Sequence, residues 1–298
     1  MPTEKQYHLL AVTEALLATI TWGSSFVLVK IGLKYLGPLT IAGLRYFLAF
    51  LILLPFMFRN GGASVSSLTP SMWLKLFLLG LSAYTIGNGA LFWGLKFLPA
   101  TTASFLMSFT PILVLVAGIF WLKEIPTGLQ ILGMIVVLVG TALFFSSGLG
   151  ASEPLGIGIV VFASASFALF GVLGRDVARA KQVDTVTQTA IPLGLGGGLV
   201  LLTALLVEGV PTFSLAALGI ILFLALVNTA IAYMLYNHAL QKLTALEINV
   251  LLNLSPLMTA LLAWVLIDEK LGPIKIFGMW LAFGGVFLVQ WRKSHSSA

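Results

Sequence analysis

The chain of 298 residues lacks cysteine and contains very little charge. Without cysteine it can form no disulfide, no thiol nucleophile and no cysteine-ligated metal site. Charged residues make up 9% of the chain, whereas a soluble domain carries about a quarter. Hydrophobic residues make up 59%, which leaves too little polar surface to cover a water-soluble globule. We therefore predict that the lipid bilayer is the main solvent and partner of this protein.

The sequence also lacks the local motifs of common enzymes. It contains no His-Glu-x-x-His zinc site, no Gly-x-Ser-x-Gly nucleophile turn and no phosphate-binding loop. We expect no enzyme activity, no cofactor and no metal. The net charge of +6 does not indicate nucleic acid as a partner, because the basic residues are scattered between apolar runs and form no stripe.

Ten hydrophobic segments are long enough to cross a membrane, which takes roughly 20 apolar residues. They lie at about residues 9–31, 38–58, 72–95, 100–122, 127–147, 155–177, 185–207, 214–240, 245–267 and 273–291. The connections are short and many contain Pro or Gly. The predicted fold is therefore an all-α membrane protein with ten transmembrane helices.

The sequence repeats itself at an offset of 145 residues. The residues Pro111, Glu124, Gly133 and Gly140 recur as Pro256, Glu269, Gly278 and Gly285. Residues 1–150 and 151–298 are therefore predicted to be two five-helix repeats. Because five is odd, the second repeat enters the membrane upside down relative to the first. This inverted arrangement is typical of secondary transporters that expose a central site to each side in turn.

The distribution of Lys and Arg predicts the orientation of the chain. With the N-terminus in the cytoplasm, ten of these sixteen residues lie on the cytoplasmic side, five on the outer side and Arg45 within a span. Positive residues are enriched on the cytoplasmic side of membrane proteins. We therefore expect both termini in the cytoplasm.

Two prolines at equivalent positions are candidate hinges. Pro111 and Pro256 fall near the middle of the fourth and ninth predicted spans, where a proline leaves the carbonyl four residues earlier without its helical donor. Such carbonyls must be satisfied by protein or by a water-filled cavity. The alternative is that both are merely tolerated prolines of membrane helices.

Polar and aromatic residues on several predicted spans are candidates for a cavity lining. The candidates are the aromatic residues Trp22, Tyr84 and Tyr233 and the polar residues Asn88, Ser108, Asn237 and Asn253. The offset of 145 residues aligns Asn88 with Tyr233 and Ser108 with Asn253. Rings interleaved with amides and hydroxyls suit a substrate with an apolar or aromatic side chain and a small polar head. Interhelical hydrogen bonds and aromatic belts at the membrane surface are the alternative roles of such residues.

Arg45 is the charge placed deepest in a predicted span, about 10 Å from its outer edge at 1.5 Å per residue. An arginine at this depth is costly, and it is therefore a functional candidate. It could bind a substrate carboxylate, anchor its helix to carbonyls or extend to the interface. No acid is evident at mid-depth, so obligate proton coupling is not predicted.

The first half of the chain contains the motifs Trp22-Gly23-Ser24-Ser25-Phe26, Pro38, Arg45, residues 95–100, Pro111, Glu124, Gly133 and Gly140, and the second half contains Ala239-Leu240, Pro256, Glu269, Gly278 and Gly284-Gly285. Together these motifs resemble the ten-helix EamA-type exporters of the drug/metabolite transporter superfamily, among them bacterial exporters of aromatic amino acids. The second half departs from the first in having Ala190 at the position equivalent to Arg45. The resemblance implies a multi-pass protein of a bacterial-type inner membrane that exports small metabolites, often amino acids and sometimes cationic drugs.

We therefore predict a secondary transporter that exports small amphipathic metabolites, with aromatic or other apolar amino acids as the first choice. Cationic drugs or another metabolite are the first alternative, and a passive channel or a membrane-embedded scaffold is the second. The residues expected to bind substrate are Trp22, Arg45, Tyr84, Asn88, Ser108, Tyr233, Asn237 and Asn253, with Pro111 and Pro256 as hinges. The sequence carries no feature that sets an oligomeric state.

Overall fold

A computed structural model describes residues 4–59, 65, 68–94, 97–98, 103, 106–146, 153–255, 257 and 272–291. Every regular element within these ranges is a helix. The elements are α1 (Glu4–Gly32), α2 (Pro38–Arg59), α3 (Pro70–Gly80), π1 (Leu81–Gly87), α4 (Asn88–Gly94), α5 (Thr110–Ala117), π2 (Gly118–Leu122), α6 (Gly128–Phe145), α7 (Pro154–Ala180), α8 (Thr185–Val207), α9 (Leu215–Ala225), π3 (Leu226–Ile231), α10 (Ala232–Ala239), α11 (Ala245–Leu252) and α12 (Pro273–Gln290). The π labels mark π-helical turns.

The helices have the length and surface of a membrane protein. Seven within the described ranges are long and apolar enough to cross a bilayer: Pro38–Phe58, Pro70–Leu91, Gly128–Phe145, Pro154–Ala180, Thr185–Val207, Leu215–Ala239 and Pro273–Gln290. Large apolar side chains such as Leu206, Phe120 and Trp280 stand exposed on the outside of the bundle, where lipid rather than water is the suitable solvent. The predicted all-α membrane fold is confirmed.

Helix α1 is as long as these seven but richer in polar residues. The hydroxyls of Thr13, Thr19 and Thr21 each donate a hydrogen bond to the carbonyl four residues earlier. Hydroxyls bonded in this way leave no open donor in an apolar surrounding. The polar residues of α1 are therefore compatible with the first predicted span.

Equivalent helices of the two halves pack against each other in opposite directions. In the α2–α8 pair, a Cβ atom on Gly43 would lie 2.6 Å from Cα of Leu201, whereas one on Gly197 would lie 2.7 Å from Cβ of Tyr46. The residue numbers of the contacting positions therefore increase along α2 as they decrease along α8. The α6–α12 pair is antiparallel in the same way, and its two helices approach each other closely at glycine residues. This antiparallel pairing is the one that an inverted repeat requires.

The repeat offset also governs where helices begin and end. Helices α3 and α9 begin and end 145 residues apart, as do α6 and α12. The π-helical turns π1 and π3 begin 145 residues apart as well. The duplication thus extends from the sequence to an uncommon helix type, since π-helical turns are rare outside functional regions.

The fourth predicted span is broken rather than kinked. Ser108 and Phe109 form a turn, and α5 begins at Thr110 with Pro111 in its first turn. A proline at this position removes no helical hydrogen bond, because the first N–H groups of a helix have no partner within it. The Met107 carbonyl accepts a hydrogen bond of 2.6 Å from the Thr110 hydroxyl, so it is satisfied locally. The expected partners in the other half, Pro256 and Glu269, lie outside the described residues.

Candidate functional site

A cavity of about 320 Å³ lies between the two halves of the molecule. It is lined by Trp22, Ser25, Val29, Arg45, Tyr46, Asn88, Leu91, Ala103, Met107, Ser108, Thr110, Pro111, Phe167, Phe170, Tyr233, Tyr236, Asn249, Leu252, Asn253 and Ser255. Both repeats therefore contribute residues to the lining, and the turn that interrupts the helix before α5 lies in the cavity wall. Of the residues predicted from the sequence, the structure brings together Trp22, Arg45, Asn88, Ser108, Pro111, Tyr233 and Asn253 at this cavity.

Most of the lining follows the repeat. The positions that line the cavity in pairs 145 residues apart are Trp22 with Phe167, Ser25 with Phe170, Asn88 with Tyr233, Leu91 with Tyr236, Met107 with Leu252, Ser108 with Asn253 and Thr110 with Ser255. The backbone of the cavity is thus symmetric, whereas its chemistry is not. Aromatic rings in the second half take the place of smaller or more polar side chains in the first.

Four aromatic rings, those of Trp22, Phe170, Tyr233 and Tyr236, form one wall of the cavity. The Trp22 ring lies 4.8 Å from that of Tyr233 and 5.6 Å from that of Tyr236, measured between centroids. Phe170 stacks on Tyr236 at 5.6 Å with an angle of 15° between the planes. Such pairs stabilise one another beyond the area they bury. The wall is therefore a preformed apolar surface for a flat or branched hydrophobic group.

Two predicted binding residues lie outside the cavity lining. Tyr84 is buried behind the wall, with its ring 5.2 Å from that of Tyr233. Asn237 is buried in a contact with α8, where it accepts a bond from Gln188 and donates one to Thr189. Tyr84 thus supports the lining, and Asn237 joins two helices of the second half.

In contrast to the aromatic wall, Asn249 and Asn253 contribute polar amide groups to the cavity lining. Asn249 donates from its amide nitrogen to the Ala245 carbonyl at 2.8 Å, and Asn253 donates to the Ser108 carbonyl at 2.7 Å. A carbonyl can only accept, so each amide must turn its nitrogen toward the protein backbone. Each residue can therefore offer a ligand its carboxamide oxygen and the second N–H of its amide.

Arg45 is held at the cavity by neutral groups. Its Nε donates to the Thr229 hydroxyl at 3.1 Å and one terminal nitrogen donates to the Asn228 carbonyl at 3.2 Å. The guanidinium carbon also lies 5.1 Å from the ring centre of Tyr46, which is a favourable cation–π distance. Only 6% of the residue is exposed. The guanidinium is fixed in direction while remaining part of the cavity lining.

The π-helical turn π3 supplies the carbonyl that Arg45 uses. The same Asn228 carbonyl accepts a hydrogen bond from Trp22 Nε1 at 3.0 Å, and the Asn228 side chain donates to the Thr21 carbonyl and the Ser24 hydroxyl. The turn therefore connects α1 and α2 through one residue. Wider i→i+5 bonding in a π-helical turn makes such carbonyls accessible to other helices.

A network of partly buried hydrogen bonds joins the helices at one end of the bundle. Glu124 accepts from Arg175 Nε at 2.8 Å and from the Ala245 backbone N–H at 3.1 Å, while Arg175 also donates to the Leu240 carbonyl at 2.6 Å. Leu240 and Ala245 each lie one helical turn beyond a lining residue. We call this end of the bundle the Arg175 end. Glu124 thus satisfies a free N–H group in the first turn of α11, a helix of the other repeat.

Reasoning from the sequence missed several lining residues. Ser25, Tyr46, Phe167, Phe170 and Tyr236 line the cavity, yet Tyr236 lies near a predicted span end, where aromatic residues of a surface belt are expected. The offset of 145 residues could have identified one of them. It maps the predicted residue Trp22 onto Phe167, in the same way as it maps Asn88 onto Tyr233.

Both halves of the chain match one family. The model of the EamA-like transporter family matches residues 9–146 and again residues 154–291. These two stretches are themselves displaced by 145 residues and together cover nearly the whole chain.

Full-length relatives and a solved structure agree with this match. An "uncharacterized transporter" of Archaeoglobus fulgidus is 28% identical over 98% of this chain and 99% of its own. A "probable amino-acid metabolite efflux pump" of Escherichia coli is 24% identical (94% and 96% covered), and a "probable terminal-alkyne amino-acid exporter" of Streptantibioticus cattleyicolor is 27% identical (95% and 94% covered). A solved crystal structure shares the fold, with a TM-score of 0.79 at 15% identity over 93% of this chain and 95% of that one. The chain belongs to the EamA-like transporter family and is a membrane transporter, not an enzyme.

Proposed function

We propose that this protein exports small amphipathic metabolites, and amino acids with aromatic or other apolar side chains first among them. The observation that carries the proposal is the cavity between the repeats, which combines an aromatic wall with three asparagines and one arginine. Its volume of about 320 Å³ falls at the lower end of the range of roughly 300–1,000 Å³ usual for small-molecule sites. The site therefore suits a single small metabolite.

Alternating access is the mechanism that the symmetry supports. Two inverted halves of similar backbone can exchange conformations, so that a cavity closed at one end becomes closed at the other. We infer that the bonds among Glu124, Arg175, Leu240 and Ala245 hold the Arg175 end shut. With both termini in the cytoplasm this end faces the cytoplasm, and export requires that these bonds open to admit substrate.

The names of two relatives favour amino acids over other metabolites. The Escherichia coli and Streptantibioticus cattleyicolor proteins are described as exporters of amino-acid compounds, and each aligns with this chain over nearly its whole length. The aromatic wall formed by Trp22, Phe170, Tyr233 and Tyr236 favours apolar side chains within that class.

Counterflow in proteoliposomes tests the proposal. Purified protein is reconstituted, the vesicles are loaded with one unlabelled amino acid, and uptake of the labelled form is measured for Phe, Trp, Leu, Thr and Met, with and without a pH gradient. We expect saturable uptake that is stimulated by the unlabelled amino acid inside. Uptake without such stimulation would indicate a channel, and no uptake of any of the five would overturn the assignment to amino acids.

A further inference from the structure

Arg45 brings a positive charge into the cavity without a matching negative one. An arginine stays protonated under all conditions in which proteins are folded. The ion pairs among the described residues join Lys75 with Asp176, Arg175 with Glu124 and His238 with Glu14, and none of them includes Arg45. The lining residues, all within the described part of the chain, include no Asp or Glu.

The protein groups that touch Arg45 position it rather than neutralise it. A hydroxyl, a backbone carbonyl and an aromatic ring hold the guanidinium, and each is a neutral group. A buried charge is costly unless it is paired. The cavity is therefore electrostatically incomplete until a ligand brings an anionic group to it, and the planar guanidinium fork matches a carboxylate in geometry.

The asparagines supply the complementary feature. Asn249 and Asn253 are four residues apart, so they lie on one face of α11 and its C-terminal turn. Both commit their amide nitrogen to backbone carbonyls. They can offer a ligand a pair of carboxamide oxygens, which accept hydrogen bonds from an ammonium group without carrying a charge that would attract a free cation strongly.

We propose that Arg45 is the specificity-determining residue for a free carboxylate, with Asn249 and Asn253 accepting from the ammonium group, so that the substrate is a zwitterion and not a cation. The inference rests on the proposed function and narrows it. The apolar side chain of the substrate packs on the aromatic wall. The position equivalent to Arg45 in the second repeat is Ala190, so the charge acts from one side only and fixes which way round the substrate binds. Cationic drugs, which lack a carboxylate, are rejected.

The first test uses the unaltered protein and a set of related ligands. For each amino acid that exchanges in the counterflow assay, its amide and its decarboxylated amine compete against it. For phenylalanine these are phenylalaninamide and phenethylamine, with 3-phenylpropionate as the ligand that keeps the carboxylate and lacks the ammonium. We expect the amide and the amine to compete about tenfold to a hundredfold less well than the amino acid, as the loss of a charge-assisted bond implies.

The results separate the two proposals. If no amino acid exchanges, the proposed function fails and this inference fails with it. If an amino acid exchanges but its amide competes within about twofold, which is well under the tenfold step of one lost charged hydrogen bond, the carboxylate inference is overturned and the function stands. An amine that competes better than 3-phenylpropionate also overturns it.

Variants at one position then assign the effect to Arg45. Arg45→Gln should raise the KM for the amino acid about tenfold or more and bring amino acid and amide close to equal affinity, whereas Arg45→Lys should keep part of the preference. Lys275→Gln, which removes a positive charge from a residue outside the cavity lining, is the control and should leave the preference unchanged. If Arg45→Gln lowers turnover for both ligands but keeps their ratio, Arg45 has only a structural role and the inference is overturned.

Discussion

At the scale of single residues, glycines set how closely the two halves approach. A Cβ atom on Gly285 would lie 2.6 Å from the Gly133 carbonyl oxygen and 2.7 Å from the Val137 nitrogen. Both are backbone atoms, so neither can move aside as a flexible side chain would. Its neighbour Gly284 has open space at the same point, with nothing within 4 Å. The two adjacent glycines therefore differ only in which face of α12 they occupy.

This pair gives a matched prediction for stability. Gly285→Ala should lower the free energy of unfolding in detergent by about 1–3 kcal/mol, because the added methyl group pushes α6 and α12 apart. Gly284→Ala should leave it unchanged or raise it slightly, since alanine favours the helix over glycine by up to about 1 kcal/mol. Thermal or denaturant unfolding of the purified variants measures both. Equal losses in the two variants would contradict close packing at Gly285.

Which residues face the cavity could be predicted only in part. Trp22, Asn88, Ser108, Tyr233 and Asn253 followed from polar or aromatic character combined with the repeat, and all line the cavity. Their role in binding stays a prediction.

Tyr84 and Asn88 show why the remaining orientations could not be predicted. Four residues apart, they would share a face in an α-helix. Tyr84 lies within the π-helical turn Leu81–Gly87 and Asn88 follows it directly, so the wider turn separates the directions of their side chains. Hydrophobic pattern alone does not distinguish a π-helical turn from an α-helix.

At the scale of elements, π1 and π3 are the features that the sequence hid most completely. Each interrupts an otherwise regular helix at the same position of its repeat. A π-helical turn holds one more residue than an α-helical turn, and such turns occur frequently at functional sites. In π3 the Asn228 carbonyl accepts hydrogen bonds from both Arg45 and Trp22. The interruption therefore builds part of the cavity wall.

Removing one residue from π3 tests this interpretation. Deletion of Ala230 should restore a regular helix, keep the flanking helices α9 and α10 in register and withdraw the carbonyl from Arg45 and Trp22. We expect the variant that lacks Ala230 to fold. Its counterflow rate should be about tenfold or more below that of the unaltered protein, because these hydrogen bonds are lost. Ala230→Gly changes the same residue without changing the length and should retain exchange. Wild-type exchange by the deletion variant would show that the π-helical turn has no part in transport.

The break before α5 is a second feature of this scale. The sequence predicted one continuous helix with a kink at Pro111, whereas the chain turns at Ser108 and Phe109 and begins a new helix. Hydropathy cannot distinguish one kinked helix from two helices joined by a turn, because the sequence of apolar residues is compatible with both. The proline marked the position correctly, and the Met107 carbonyl there accepts a hydrogen bond from the Thr110 hydroxyl.

At the scale of the whole molecule, the inverted repeat was the most predictable property. Matched Pro, Glu and Gly positions at one offset indicated two halves, and an odd number of predicted spans per half indicated inversion. The antiparallel α2–α8 and α6–α12 pairs bear this out. The network at the Arg175 end could not be predicted in full, because Glu124 bonds to residues more than 50 positions away.

That network should control the balance between the two states of the transporter. Glu124→Gln replaces the ion pair with Arg175 by a weaker bond and should favour opening at the Arg175 end by about tenfold. A cysteine introduced at Ser25, a buried lining residue, reports the change as faster labelling by a membrane-impermeant thiol reagent from that face.

The neighbouring ion pair provides the control. Lys75 and Asp176 lie 2.7 Å apart, and both side chains are about a third exposed, so the pair contributes little. Asp176→Asn, which changes the net charge by the same amount as Glu124→Gln, should leave the labelling rate unchanged. If both variants change it equally, the effect is one of net charge and not of the network.

The central claim is that one cavity opens to each side of the membrane in turn, and the chain is well suited to a direct test because it contains no cysteine. In sealed vesicles of known orientation, the single thiol of Ser25→Cys is labelled from either face while an exchanging amino acid is supplied on one side. We predict reciprocal rates: conditions that slow labelling from one face should speed it from the other. Labelling from one face only, or rates that rise and fall together on both faces, would contradict alternating access through this cavity.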